Sequence, residues 1–153
     1  MYRIITLLFI GILVTAPVAV ADNGMRIIES RHDLAETEKR LLAAIDDAGM
    51  RVIATVDHAA AAQKAGMTLE PTLLIIFGNP KVGTQLMHCG RTVAIDLPMK
   101  MLIWSDDGVT RIGYNTPYYL ADRHDLAGCN ALPDKIDNAL SGLAGQASVT
   151  VDR

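Results

Sequence analysis

A run of five apolar residues, Leu73-Leu74-Ile75-Ile76-Phe77, passes through Gly78-Asn79-Pro80 into a helix-like stretch carrying Lys81, Thr84 and Met87. The run has the composition of a strand buried on both faces. Asn79 is a natural turn residue, and Pro80 pre-sets the backbone angle of a first helical turn. A strand that turns straight into a helix gathers free backbone N–H groups and about half a positive charge at one spot. This turn is therefore the first place to expect an anion, with Lys81 and Thr84 assisting the backbone. The plain alternative is a tight strand-to-helix connection that binds nothing. Gly78 to Thr84 also has the spacing of a nucleotide phosphate loop, but Thr84 stands where the lysine belongs and Gln85 where the hydroxyl belongs. An NTPase is excluded on that ground.

The segments around the turn alternate in period. Met25 to Glu29 reads as a strand. Asp33 then caps a helix to Ala48, with Leu34, Leu41, Leu42 and Ile45 on one stripe and Gly49 ending it. Met50 to Val56 is β-branched and strand-like, and Asp57 caps a short alanine helix from His58 to Ala65, stopped by Gly66. Beyond the Pro80 helix, Val93 to Leu97 and Met99 to Trp104 read as strands broken at Pro98. Asp106-Asp107-Gly108 joins the second of these to Val109 to Tyr114 as a hairpin. Thr116 caps a helix through Leu120, and Pro133 opens a last helix carrying Ile136, Leu140 and Leu143. The expected fold is α/β, of the two-layer α+β kind: a mixed sheet of five to six strands packed with helices, with a C-terminal hairpin followed by helices.

Residues 1 to 21 have the layout of a secretory signal: Arg3, an apolar core from Ile4 to Val14, and Ala19-Val20-Ala21 as a small-residue cleavage site. Ile4 to Ala21 is also 18 uncharged residues, just long enough for a membrane anchor, but Pro17 and the alanines favour cleavage. Asp22 replaces the cysteine a lipoprotein would need. The expected product is a periplasmic or secreted protein, off the membrane after cleavage, with one domain over residues 22–147 and a flexible tail over 148–153. It carries 13 Lys and Arg against 17 Asp and Glu, with no basic cluster, so nucleic acid is not an expected partner.

Export also bears on Cys89 and Cys129, since disulfides persist in oxidising compartments. A Cys89–Cys129 disulfide is the favoured reading. Two separate thiols, or a two-Cys, two-His metal site with His88 and His124, are the alternatives.

Val56-Asp57-His58 with Ala60, then Gly66, Leu69, Glu70 and Pro71, then Phe77-Gly78-Asn79-Pro80-Lys81 with Gly83-Thr84, and Ala94-Ile95-Asp96-Leu97-Pro98-Met99-Lys100 together resemble the domain of unknown function 302 family. The resemblance runs from about Met25 to Gly142. It implies a compact α/β domain that forms homodimers and implies no established reaction.

The candidate ligand-binding set is Asp57, His58, Glu70, Gly78, Asn79, Lys81 and Thr84. If the strands ending at Val56 and Phe77 run parallel, both helix starts fall on one edge and this set converges on an anion pocket. No signature of a known enzyme, metal site or cofactor fold is present. The aromatics Trp104, Tyr114, Tyr118 and Tyr119 read as core and interface residues. The expected function is binding of a small anion or a protein partner without catalysis or cofactor. One alternative is a hydrolase or lyase pairing His58 with Glu70 or Asp96; another is a structural subunit of a homodimer.

Overall fold

The computed structural model describes residues 23–129 and 131–149, so the signal-like segment lies outside the described residues. Five strands, β1 (Met25–Glu29), β2 (Arg51–Asp57), β3 (Thr72–Gly78), β4 (Met99–Asp106) and β5 (Val109–Asn115), form one sheet in the order β1-β5-β4-β3-β2. Five helices accompany it: α1 (Leu34–Asp47), α2 (His58–Lys64), α3 (Pro80–Cys89), α4 (Pro117–Arg123) and α5 (Leu132–Ser148). The α+β class is as the periodicities predict, but every strand pair is antiparallel and the sheet is not mixed.

The β2–β3 pairing is the one that bears on the site. The connection, α2 and residues 65–71, returns to the same end of the sheet, so β3 begins where β2 ends, with Asp57 opposite Leu73 and Arg51 opposite Gly78.

The local signals of the helices act as expected. Asp33 Oδ1 accepts the Glu36 N–H at 2.9 Å, Asp57 Oδ1 the Ala60 N–H at 2.8 Å, and Thr116 Oγ1 the Tyr119 N–H at 3.2 Å. The hairpin turns through Asp107 and Gly108, both at positive φ, the geometry that matches strand twist.

α1 and α5 pack on each other and over one sheet face. Leu41 and Ile45 of α1 and Leu140, Leu143 and Ala144 of α5 close on Leu73, Ile75, Phe77, Met101, Ile103 and Ile112. Each fully buried large side chain contributes about 1.5 to 3 kcal/mol.

Three expectations change. Val93 to Leu97 is not a strand: Arg91–Ile95 forms a 3₁₀ turn, in which the Val93 carbonyl accepts the N–H groups of Asp96 and Leu97. Its β-branched composition is overridden by the burial of Val93 against the core. Residue 148 is not tail: Ser148 is 1% exposed, and its carbonyl accepts the Arg31 N–H at 2.9 Å. And β3 is buried on one face only, since Leu74 and Ile76 remain partly exposed between the buried Leu73, Ile75 and Phe77.

Candidate functional site

The antiparallel β2–β3 pair divides the predicted ligand set. Asp57 and His58 stand at the end where β3 begins, with Glu70 just before it; Gly78, Asn79, Lys81 and Thr84 lie at the other end. Five residues of strand, about 17 Å, separate the groups. The single anion pocket built from both helix starts therefore does not form. His58 and Glu70 are exposed, and His58 is likewise far along the sheet from Asp96, which lies near the β3 terminus through Pro98, 3.6 Å from a Cβ built at Gly78.

The Asn79 turn uses its own donors. Asn79 Oδ1 accepts the Lys81 N–H at 3.0 Å, and the Asn79 carbonyl accepts the N–H groups of Val82 and Gly83, each at 3.0 Å. Pro80 has no N–H to offer. The amides on which an anion nest depends are thus engaged within the turn, while the Lys81 and Thr84 side chains are exposed.

Asp57 instead lines a cleft of about 520 Å³ between the start of α1, α2 and the start of β3. Leu34, Met67, Leu69 and Leu73 supply its apolar wall, and its charged groups are Glu38 and Asp57, both acidic. That lining suits an apolar body with a cationic group and repels an anion.

A second cluster escapes the sequence reading. Cys89 and Cys129 form a disulfide, with Cα atoms 5.7 Å apart, which removes the thiolates a two-Cys, two-His metal site requires. The bridge ties the end of α3 to the segment after α4 and so brings His124 beside Thr92 and Asp96. His124 Nε2 lies 2.6 Å from Asp96 Oδ2, and Nδ1 lies 3.1 Å from Thr92 Oγ1. Arg123 Nε approaches the same Asp96 oxygen at 3.6 Å. The Lys100 amine donates to the Asp96 carbonyl at 2.7 Å and the Pro98 carbonyl at 2.8 Å. Burial pushes the Lys100 amine below the usual lysine range, and the Asp96 charge works the other way. The legible signal was the disulfide: once it is drawn, Thr92, three residues after Cys89, and His124, five before Cys129, become neighbours.

The sheet face opposite α1 and α5 carries an apolar centre bordered by Lys100, Arg111 and Glu29. Ile27, Leu74, Ile76, Leu102 and Trp104 lie on it, and a Cβ at Gly113 would come within 2.9 Å of Trp104 Cζ3 and of Met25 Cε, so glycine lets both side chains lie flat. β2, at the sheet edge, is exposed along all seven residues.

This sheet and its helices match a solved relative, the crystal structure of an uncharacterised conserved DUF302 protein from Bacillus stearothermophilus, with a TM-score of 0.76 at 18% identity, covering 82% of this chain and 98% of that one. Two proteins described as fluoride-specific ion channels, from Brucella suis and Brucella abortus, are 47% identical over 109 residues. That stretch is 71% of this chain but only 43% and 40% of theirs. The profile of the domain of unknown function DUF302 matches residues 26–143, and with most of the chain inside that match, the protein is a member of the DUF302 family.

Proposed function

We propose that the chain is an exported interaction domain that works as a homodimer, joined through the β2 edge and the open sheet face. The observation that carries this is β2 itself: seven consecutive exposed residues, Arg51 to Asp57, apolar apart from Thr55 between two opposite charges. A bare edge of that kind is a template for another strand, and natural edges are usually blunted by lysine, proline or cover. Antiparallel pairing with a second β2 about Ala54 sets Arg51 of each copy opposite Asp57 of the other, so the charges mark the register. The half-exposed Leu74 and Ile76 support the same reading. Their composition asks for burial on both faces, and one chain covers only one.

Sedimentation velocity tests it. Wild type should sediment as a dimer, Arg51→Asp should dissociate it, and Asp57→Arg added to that variant should restore it. Far-UV circular dichroism controls for the lost α2 cap. A wild type that stays monomeric at every concentration ends the reading.

A second reading concerns the partner. The channel relatives are more than twice the length of the shared stretch, and no helix among the described residues is long and apolar enough to cross a membrane. Both facts support the shared stretch being an accessory to a conducting portion that lies elsewhere in those proteins. On this reading the domain attends a membrane ion channel. Co-expression with the remainder of the Brucella suis relative should give a complex in detergent, and separate elution of the two counts against it.

A further inference from the structure

Neither dimerisation nor the acidic cleft uses the chain of groups Thr92, His124 and Asp96. An ionised carboxylate only accepts hydrogen bonds, so the 2.6 Å contact calls for a proton on His124 Nε2, and in the neutral ring Nδ1 is then an acceptor. Thr92 Oγ1, 3.1 Å from Nδ1, then donates to it. The His124 side chain is 6% exposed and that of Asp96 17%, whereas Thr92 stands at the surface. A hydroxyl within reach of a base, and a base oriented by a half-buried acid, is the arrangement that activates a nucleophile; it is recognised by geometry and roles and not by chain order.

The frame is held from several sides. The Cys89–Cys129 bridge ties together the two segments that carry Thr92 and His124. Gly90 packs so closely that a Cβ there would stand 3.0 Å from the His124 carbonyl oxygen. Lys100 secures the Asp96 and Pro98 carbonyls, and Arg123 adds a partly exposed positive charge beside Asp96.

We propose that Thr92 is a nucleophile, with His124 as its base and Asp96 as the residue that orients that base, and that the domain hydrolyses small, accessible carboxylic esters. Thr92 Oγ attacks the acyl carbon while its proton passes to His124 Nδ1. The bond from the acyl carbon to the alcohol oxygen breaks, and that oxygen leaves with the electron pair and takes the proton. Water then adds to the acyl-threonine as Nδ1 accepts its proton. The carboxylic acid departs, and the proton returns to Thr92 Oγ. An exposed hydroxyl on an open surface suits short acyl groups and imposes little selection on the alcohol.

The probe is p-nitrophenyl acetate on the oxidised full chain, read by p-nitrophenolate release and by peptide mapping of the quenched protein. The expected result is ester cleavage with an acetyl group on Thr92. Cleavage should be lost in Thr92→Val, retained in Thr92→Ser, and reduced by about 100-fold or more in His124→Gln. Asp96→Asn should slow cleavage while leaving the disulfide and the circular dichroism spectrum unchanged. Should Thr92→Val fail to fold, the mapped acetyl site in wild type and the rate of Thr92→Ser decide the matter. Cleavage by wild type no faster than by Thr92→Val, or acetylation confined to lysines, overturns the proposal. Neither outcome touches the oligomeric state, so it stands or falls apart from dimerisation.

Discussion

Two flanks of the sheet spend the same kinds of residue differently. On one, the Cys89–Cys129 bridge ties the end of α3 to the segment after α4, with the 3₁₀ turn alongside, and Leu86, Val93, Leu120 and Leu126 are buried there. On the other, β2 and α2 hold no buried residue at all. The first flank keeps three polar groups in fixed register without outside help. The second is kept in place mainly by its ladder to β3 and by its caps, which suits a surface completed by something else. Local order and local burial are separate properties here, because a strand needs only one neighbour to be formed.

The sharpest test of that contrast is across a single rung, where Phe77 is fully buried and Val52, its partner, is 41% exposed. Phe77→Ala should cost about 3 to 5 kcal/mol in urea unfolding, and Val52→Ala less than about 1 kcal/mol under conditions where the chain is monomeric. Similar losses would mean that β2 is packed as tightly as β3. Next in size, replacing both Cys89 and Cys129 by serine opens a loop with a sequence separation of 40. The expected loss is about 2 to 4 kcal/mol, with amide exchange accelerated around the 3₁₀ turn and α4 while β2 is unaffected.

A smaller effect probes the open flank. Asp57→Ala removes the bond to the Ala60 N–H and should cost α2 about 1 kcal/mol, seen as faster exchange in α2 with little change in global melting. A large fall in melting temperature would show α2 to be coupled to the core. The smallest returns to the cross-linked flank. The Lys100 amine sits below its ordinary value in the fold, so the native state binds its proton more weakly than the unfolded chain. Stability should therefore rise as pH climbs from the lowered folded value toward the ordinary value of about 10.4, and Lys100→Met should flatten that rise in urea midpoints.

Much of this was written locally. Asp33, Asp57 and Thr116 name their helix starts, Asp107-Gly108 names the hairpin, and the pattern of Leu41, Ile45, Ile136, Leu140 and Leu143 names the core faces of α1 and α5. The resemblance to the DUF302 family was also legible, because its residues recur in order along the chain. The candidate site was less so. Asp57 and Asn79 are both helix caps, as their types imply, yet whether the strands they follow run parallel or antiparallel is not set by either residue.

Sequence alone therefore determined what depends on neighbours a few residues apart: caps, turns, periodic faces and the type of most elements. Only the tertiary structure decided which of those elements meet. The direction of β3, the 3₁₀ turn at Arg91–Ile95 and the approach of His124 to Thr92 and Asp96 all depend on contacts between distant segments. Such contacts are fixed by chain geometry and by competition for one shared core, and no short window of sequence carries either.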